Sequence, residues 1–119
     1  MHSNKLVGDG KLDPLLEELK NELQKVYGSH LRSIILFGSY ARGDYDPESD
    51  IDIMVLVDLD DAGQRQFSNA LVEKVADIFI KYGVLISVID SNYKDFNSRA
   101  SYVPFYKNVI REGVVVYAV

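Results

Sequence analysis

Gly38-Ser39-Tyr40-Ala41-Arg42-Gly43, followed after an acidic spacer by Ser49-Asp50-Ile51-Asp52-Ile53, is the stretch around which the rest of the chain is arranged. An apolar run, Ile34-Ile35-Leu36-Phe37, brings the chain to the Gly-Ser turn, and a second, Ile51 to Val57, opens with two aspartates spaced i, i+2. Successive side chains of a strand point to opposite faces, so Asp50 and Asp52 are expected on one face, about 6.6 Å apart along the backbone. Two carboxylates that close repel, and one pKa rises unless a cation intervenes. The pair therefore points to a divalent metal, most naturally Mg²⁺, which is usually held by one or two carboxylates together with substrate phosphates. The Gly-Ser turn adds free backbone N–H groups and the start of a short helix, which together favour an anion. Metal and phosphate are expected to meet there.

Outward from this stretch, the chain predicts an α/β (α+β) fold. Asp13-Pro14 has the form of an N-cap followed by proline at the first helical position. Leu12, Leu15, Leu16, Leu19, Leu23, Val26 and Tyr27 then keep helical spacing up to Gly28. Leu31 to Phe37 is a nearly continuous apolar run, as expected of a strand covered on both sides. In the second strand Met54 and Leu56 continue the parity of the aspartates, so polarity is confined to the strand's entrance. Asp58 to Asp61 offers a cap for a second long helix carrying Phe67, Leu71, Val75, Ile78, Phe79 and Tyr82, closed by Gly83. Val84 to Ile89 reads as a third strand, Lys94 to Ser98 as a single helical turn, Pro104 to Glu112 as a last helix, and Val114 to Tyr117 as a final strand. The sum is a mixed sheet of about four strands with helices packed against it. Residues 1–11 are expected to form a flexible arm and 12–119 a single domain.

Composition narrows the function. At 119 residues the chain is of ordinary single-domain size, with 47% hydrophobic and 26% charged residues, which places it among soluble globular proteins and not disordered ones. Eighteen acidic against thirteen basic residues give a net charge of −5, contrary to a surface built to grip nucleic acid non-specifically, which must neutralise several phosphates. Cysteine is absent, excluding disulfides, thiolate zinc sites and cysteine nucleophiles. No apolar stretch approaches a membrane span or a signal-peptide core, so a cytoplasmic location is the default expectation.

Gly38-Ser39-x-Ala41-Arg42-Gly43, then Ser49-Asp50-x-Asp52 at the head of an apolar strand, resembles the signature of the minimal nucleotidyltransferases, the small MntA-type members of the DNA polymerase beta-like superfamily, and the resemblance covers most of the chain. It implies a nucleotidyltransferase fold and Mg²⁺-dependent transfer of a nucleoside monophosphate from an NTP, ATP first among them, to a hydroxyl acceptor. Asp50 and Asp52 would be the catalytic, metal-binding acids. Gly38, Ser39 and Arg42 would contact the nucleotide, Ser39 donating to a phosphate. The larger relatives carry a second domain for the acceptor, so here the acceptor would come from a partner. Minimal members pair with small helical HEPN proteins as the antitoxin half of toxin-antitoxin systems. Self-association is compatible with this pattern.

One departure stands out. The superfamily generally uses a third acid on a neighbouring strand, which helps hold the metal that activates the acceptor hydroxyl. At its position in Val84-Leu85-Ile86-Ser87-Val88-Ile89-Asp90 stands Ser87. Asp90 is offset by three residues and expected to face away, past the strand's end. It or Glu48 would reach the site only through a bulge or a folded-back loop. Ser87 therefore supports an alternative: a catalytically impaired antitoxin or nucleotide-binding module that acts by partner binding.

Several residues have plainer readings beside the functional ones. Arg42 is either a phosphate contact or a partner of Asp44 or Asp46. Tyr40 and Tyr45 are either base-stacking or, more simply, surface tyrosines. His2 and His30 are incidental, and Lys94, Arg99, Lys107 and Arg111 are ordinary cations around a terminal helix. The segment from Tyr102 to Tyr106 is either core packing under the last strand, the plainer reading, or a protein-binding surface.

Overall fold

The computed structural model describes residues 12–119, and the expected N-terminal arm lies outside the described residues. Leu12–Tyr27 forms α1, whose Leu15, Leu19 and Leu23 recur every fourth residue and are fully buried. Each such leucine stabilises the fold by roughly 1.5–3 kcal/mol relative to exposure. Asp13 is not the cap: the helix already includes Leu12, so Asp13 stands in the first turn, where a carboxylate still complements the helix dipole. A 3-10 turn at Gly28–His30 leads into β1, Leu31–Phe37. There follow α2 at Gly38–Arg42, β2 at Ile51–Val57, α3 at Asp61–Tyr82 and β3 at Ile86–Asn92. Then come α4 at Tyr93–Arg99, α5 at Pro104–Glu112 and β4 at Val114–Ala118.

The four strands form one mixed sheet in the order β3-β2-β1-β4, with β1 antiparallel to both neighbours and β2 parallel to β3. The parallel pair needs a crossover, and α3 supplies it. Strand parity divides the core. Ile34, Leu36, Ile51, Ile53, Val55 and Val57 pack with the leucines of α1 and with Leu71 and Ile78 of α3. Ile35, Phe37, Met54 and Leu56 face the other way, onto Phe96 of α4 and Val109 of α5. Asp52 belongs to this second face, immediately before the buried Met54. The polar entrance of β2 thus opens between the strand ends and α5.

The third strand differs from expectation. Gly83 caps α3 with φ +74, and Val84 and Leu85 form the connection, with the Leu85 carbonyl accepting from Ile51 N–H at 2.9 Å. Pairing with β2 then continues to Asn92, where the Asn92 side chain accepts from Asp95 N–H and caps α4. Asp90 consequently lies inside β3 and not past its end.

Candidate active site

The Gly-Ser turn follows from the backbone freedom of one residue. Phe37 ends β1 in extended conformation (φ −136, ψ −172), and Gly38 adopts φ +74, a region costly for any residue with a Cβ. The chain thereby turns directly from β1 into the single helical turn α2. Gly43 closes that turn, its N–H donating to the Ser39 carbonyl at 2.9 Å, and Asp44 N–H donates to the same oxygen at 3.1 Å. The acidic spacer is held by its own side chains: Asp46 N–H donates to Ser49 Oγ at 2.9 Å and Glu48 N–H to Asp46 Oδ1 at 2.8 Å. Tyr40 and Tyr45 are not surface residues. Both are buried, and their rings stack on each other at 4.4 Å and 1°. The helical turn points Tyr40 inward, and the spacer folds Tyr45 over it.

This turn and the entrance of β2 share one cleft of about 320 Å³, lined by Phe37, Gly38, Ser39, Arg42 and Asp52, with Phe105, Asn108, Val109 and Glu112 of α5 as its far wall. Phe37 pairs with Asp52 across the β1–β2 ladder, which places the aspartate beside the turn. A Cβ on Gly38 would overlap Oδ2 of Asp52. Burial raises the Asp52 pKa above the ordinary carboxylate value, the neighbouring Asp50 charge adds to the rise, and Arg42 opposes it. Asp50 itself is exposed and lines an adjoining groove with Glu48, Ser49, Phe79 and Leu85. The two aspartates are thus coupled electrostatically while opening onto neighbouring clefts.

Ser87 is the register partner of Asp52 on β3. In a parallel pair such partners share a face, so the hydroxyl stands beside Asp52 at the position where the superfamily pattern calls for an acid. By the same alternation Asp90 belongs to the opposite face, where its charge acts on Tyr27, whose pKa burial pushes up to about 12. Among the described residues no three His, Cys, Asp or Glu side chains gather into a metal-holding group.

Arg42 is paired on two sides, its Nε donating to Asp44 Oδ2 at 3.1 Å and its Nη1 to Glu112 Oε1 at 3.0 Å. The same Glu112 oxygen accepts from Gly38 N–H at 3.3 Å. Sequence reasoning missed Glu112, which lies 74 residues from Gly38 and carries no local motif. The only hint was Gly113: the sharp exit it provides from α5 into β4 brings the helix end to the end of β1. In the remainder, His30 packs against Phe67, Arg99 is tied to Asp95, and His2 lies outside the described residues. The 102–106 segment divides, Tyr106 packing on Phe96 while Tyr102 is exposed.

A sheet of this order, with a Gly-Ser turn opposite an aspartate at the head of β2, is the arrangement expected of the nucleotidyltransferase fold. Residues 16–115 match the nucleotidyltransferase domain family, and the chain belongs to it. It is 38% identical over 102 residues, 86% of this chain and 94% of the relative, to a protein of Methanocaldococcus jannaschii provisionally named a protein adenylyltransferase. A second protein of that organism with the same provisional name is 32% identical over 107 residues, 88% of this chain and 93% of the relative. Among solved structures, a toxin-antitoxin crystallised with AMP-PNP superposes with a TM-score of 0.59 at 22% identity, covering 87% of this chain and 73% of that one. A nucleotidyltransferase-like protein of Sulfolobus solfataricus superposes at 0.55 and 19% identity, covering 88% and 81%. These likenesses establish the fold. Among the described residues no helix is long and apolar enough to cross a membrane.

Proposed function

We propose that this protein is an adenylyltransferase that moves AMP from ATP to a hydroxyl on a partner protein. The observation that carries the reading is the convergence of the Gly38 amide, Ser39, Arg42 and Asp52 on one cleft. The provisional names of the archaeal relatives support ATP as donor and a protein as acceptor, the toxin-antitoxin complexes among the structural neighbours support a toxin as that partner, and the minimal-nucleotidyltransferase resemblance implies that the toxin is a small helical HEPN protein.

The donor set fits a divalent cation. Asp52 is a partly desolvated carboxylate beside a second one, an arrangement a cation relieves, and Mg²⁺ is commonly held by such a pair with phosphate oxygens. Asp50 and Asp52 would hold it, and it would supply charge neutralisation for the triphosphate. Gly38 and Ser39 bind the phosphates through N–H and hydroxyl donors, and Arg42 offers Nη1 to the same oxygens. Phe105 and Asn108 wall the cleft and keep the nucleotide in place. The acceptor oxygen bonds to the α-phosphorus, the bond from that phosphorus to its bridging oxygen breaks, and pyrophosphate leaves with the electron pair. The hydroxyl proton goes to water, since position 87 offers no carboxylate. Positioning and charge complementarity account for most of such a rate enhancement.

Ser87 beside Asp52 favours a second reading, a protein that retains the nucleotide cleft and neutralises its partner by contact. Turnover separates the two. With Mg²⁺, α-labelled ATP and a HEPN-type partner protein, the enzyme reading expects label on the partner and loss of that label in Asp52→Asn. Complex formation without label, unaffected by the substitution, supports the binder.

A further inference from the structure

We propose that Glu112 sets the nucleotide affinity of this cleft by occupying the phosphate seat in the free protein. The inference rests on the nucleotidyltransferase reading of the site and adds to it a residue outside the Gly-Ser and Asp-x-Asp motifs. Both donors assigned to phosphate, Gly38 N–H and Arg42 Nη1, are committed to one atom, Glu112 Oε1, at 3.3 and 3.0 Å. The Glu112 side chain is only 18% exposed, so its carboxylate is tucked into the cleft and not spread over its rim. A phosphate oxygen needs the same two donors, and two anions cannot share them without strong repulsion in a partly desolvated site. Nucleotide binding therefore requires the carboxylate to leave.

The geometry also determines how it leaves. Helix α5 is anchored by the buried Val109, whose carbonyl accepts from Gly113 N–H at 2.8 Å. Gly113 is wedged so tightly that a Cβ there would run into that carbonyl and Ile35. The helix end is fixed, so the side chain must rotate while the backbone stays. Arg42 remains held through Nε by Asp44, so release of Glu112 frees Nη1 without freeing the guanidinium. Glu112 thus acts as a placeholder that keeps the seat ordered and lowers apparent affinity by the fraction of time it is occupied.

The test is a calorimetric titration of the whole chain with ATP and Mg²⁺, in wild type, Glu112→Gln, Glu112→Ala and Asp44→Asn. Glu112→Ala is expected to bind about three- to tenfold more tightly, as for a seat occupied most of the time. Glu112→Gln, whose neutral oxygen competes more weakly, is expected to fall between it and wild type. Asp44→Asn removes an equal charge from Arg42 but not from the Gly38 amide, and is expected to change affinity less than about twofold. If removing the charge at 112 proves structurally disruptive in the alanine variant, the near-isosteric glutamine carries the test. Unchanged or weaker binding in the Glu112 variants, with wild type binding normally, overturns this proposal and leaves the nucleotide site standing. An equal gain in Asp44→Asn also overturns it, because net charge and not occupancy would be responsible. Failure of all four proteins to bind overturns the nucleotide site itself.

Discussion

Gly38 and Asp52 are pressed together at the junction of β1 and β2, with no room for a side chain at position 38 on the Asp52 side. Gly38→Ala would meet two obstacles, a φ of +74 and the Asp52 carboxylate, whereas Gly43→Ala meets only its φ of +85, with nothing near the new methyl. The second substitution is expected to cost about 1–2 kcal/mol of stability. The first should cost roughly 1 kcal/mol more and also displace Asp52, abolishing ATP binding. Urea unfolding and nucleotide titration of both variants check this. Equal losses of stability with binding intact would mean that Gly38 is ordinary turn glycine.

Asp52 places its charge at a cost. Its folded-state pKa is raised by burial and then by Asp50, so the unfolded chain releases this proton at lower pH than the folded one. Between those two values, stability falls as pH rises. Asp52→Asn is therefore expected to unfold at a higher temperature than wild type at pH 7, with the difference vanishing as pH falls below the ordinary value of 3.8. A thermal melt series from pH 3 to pH 8 in metal-free buffer follows it. A neutral-pH loss of stability in the variant would mean that the carboxylate is held by favourable contacts.

Ser87 stands beside Asp52 across the parallel ladder. Ser87→Asp is expected to tighten Mg²⁺ binding by about fivefold or more, since a carboxylate outperforms a hydroxyl as a ligand for a hard cation. The same variant should be less stable without metal, because three acids then share the strand entrance. Isothermal titration with MgCl₂ decides it: an unchanged affinity would mean that position 87 does not reach the metal.

Most of the fold was legible because its periodicities are unambiguous. The leucines of α1, the two apolar strands and Pro104 at the start of α5 each carry one local signal with one physical reading. Pairing across the sheet was not legible at its edges. The third strand begins two residues and ends three residues later than expected, because Val84 and Leu85 are as apolar as the strand they precede, and only the bond from Ile51 N–H to the Leu85 carbonyl marks them as a connection. Within the candidate site, Gly38, Ser39 and Asp52 are joined by a short stretch of chain, and their proximity follows from one hairpin-like return. Tyr40 and Tyr45 look like surface residues in sequence, because nothing local shows that they would stack on each other. Glu112 comes from the far end of the chain, and its place follows only from where α5 docks.

The central claim is that one seat, built from the Gly38-Ser39 turn and the Asp50–Asp52 strand entrance, holds a magnesium-bound triphosphate. The most direct measurement is the dissociation constant of ATP with and without Mg²⁺, in wild type and in Asp52→Asn. The account predicts Mg²⁺-dependent binding in wild type that weakens at least about tenfold in the variant, a change of about 1.4 kcal/mol, even though the variant fold is the more stable one. Binding that is indifferent to Mg²⁺ and to the aspartate, or no binding by wild type, would contradict it.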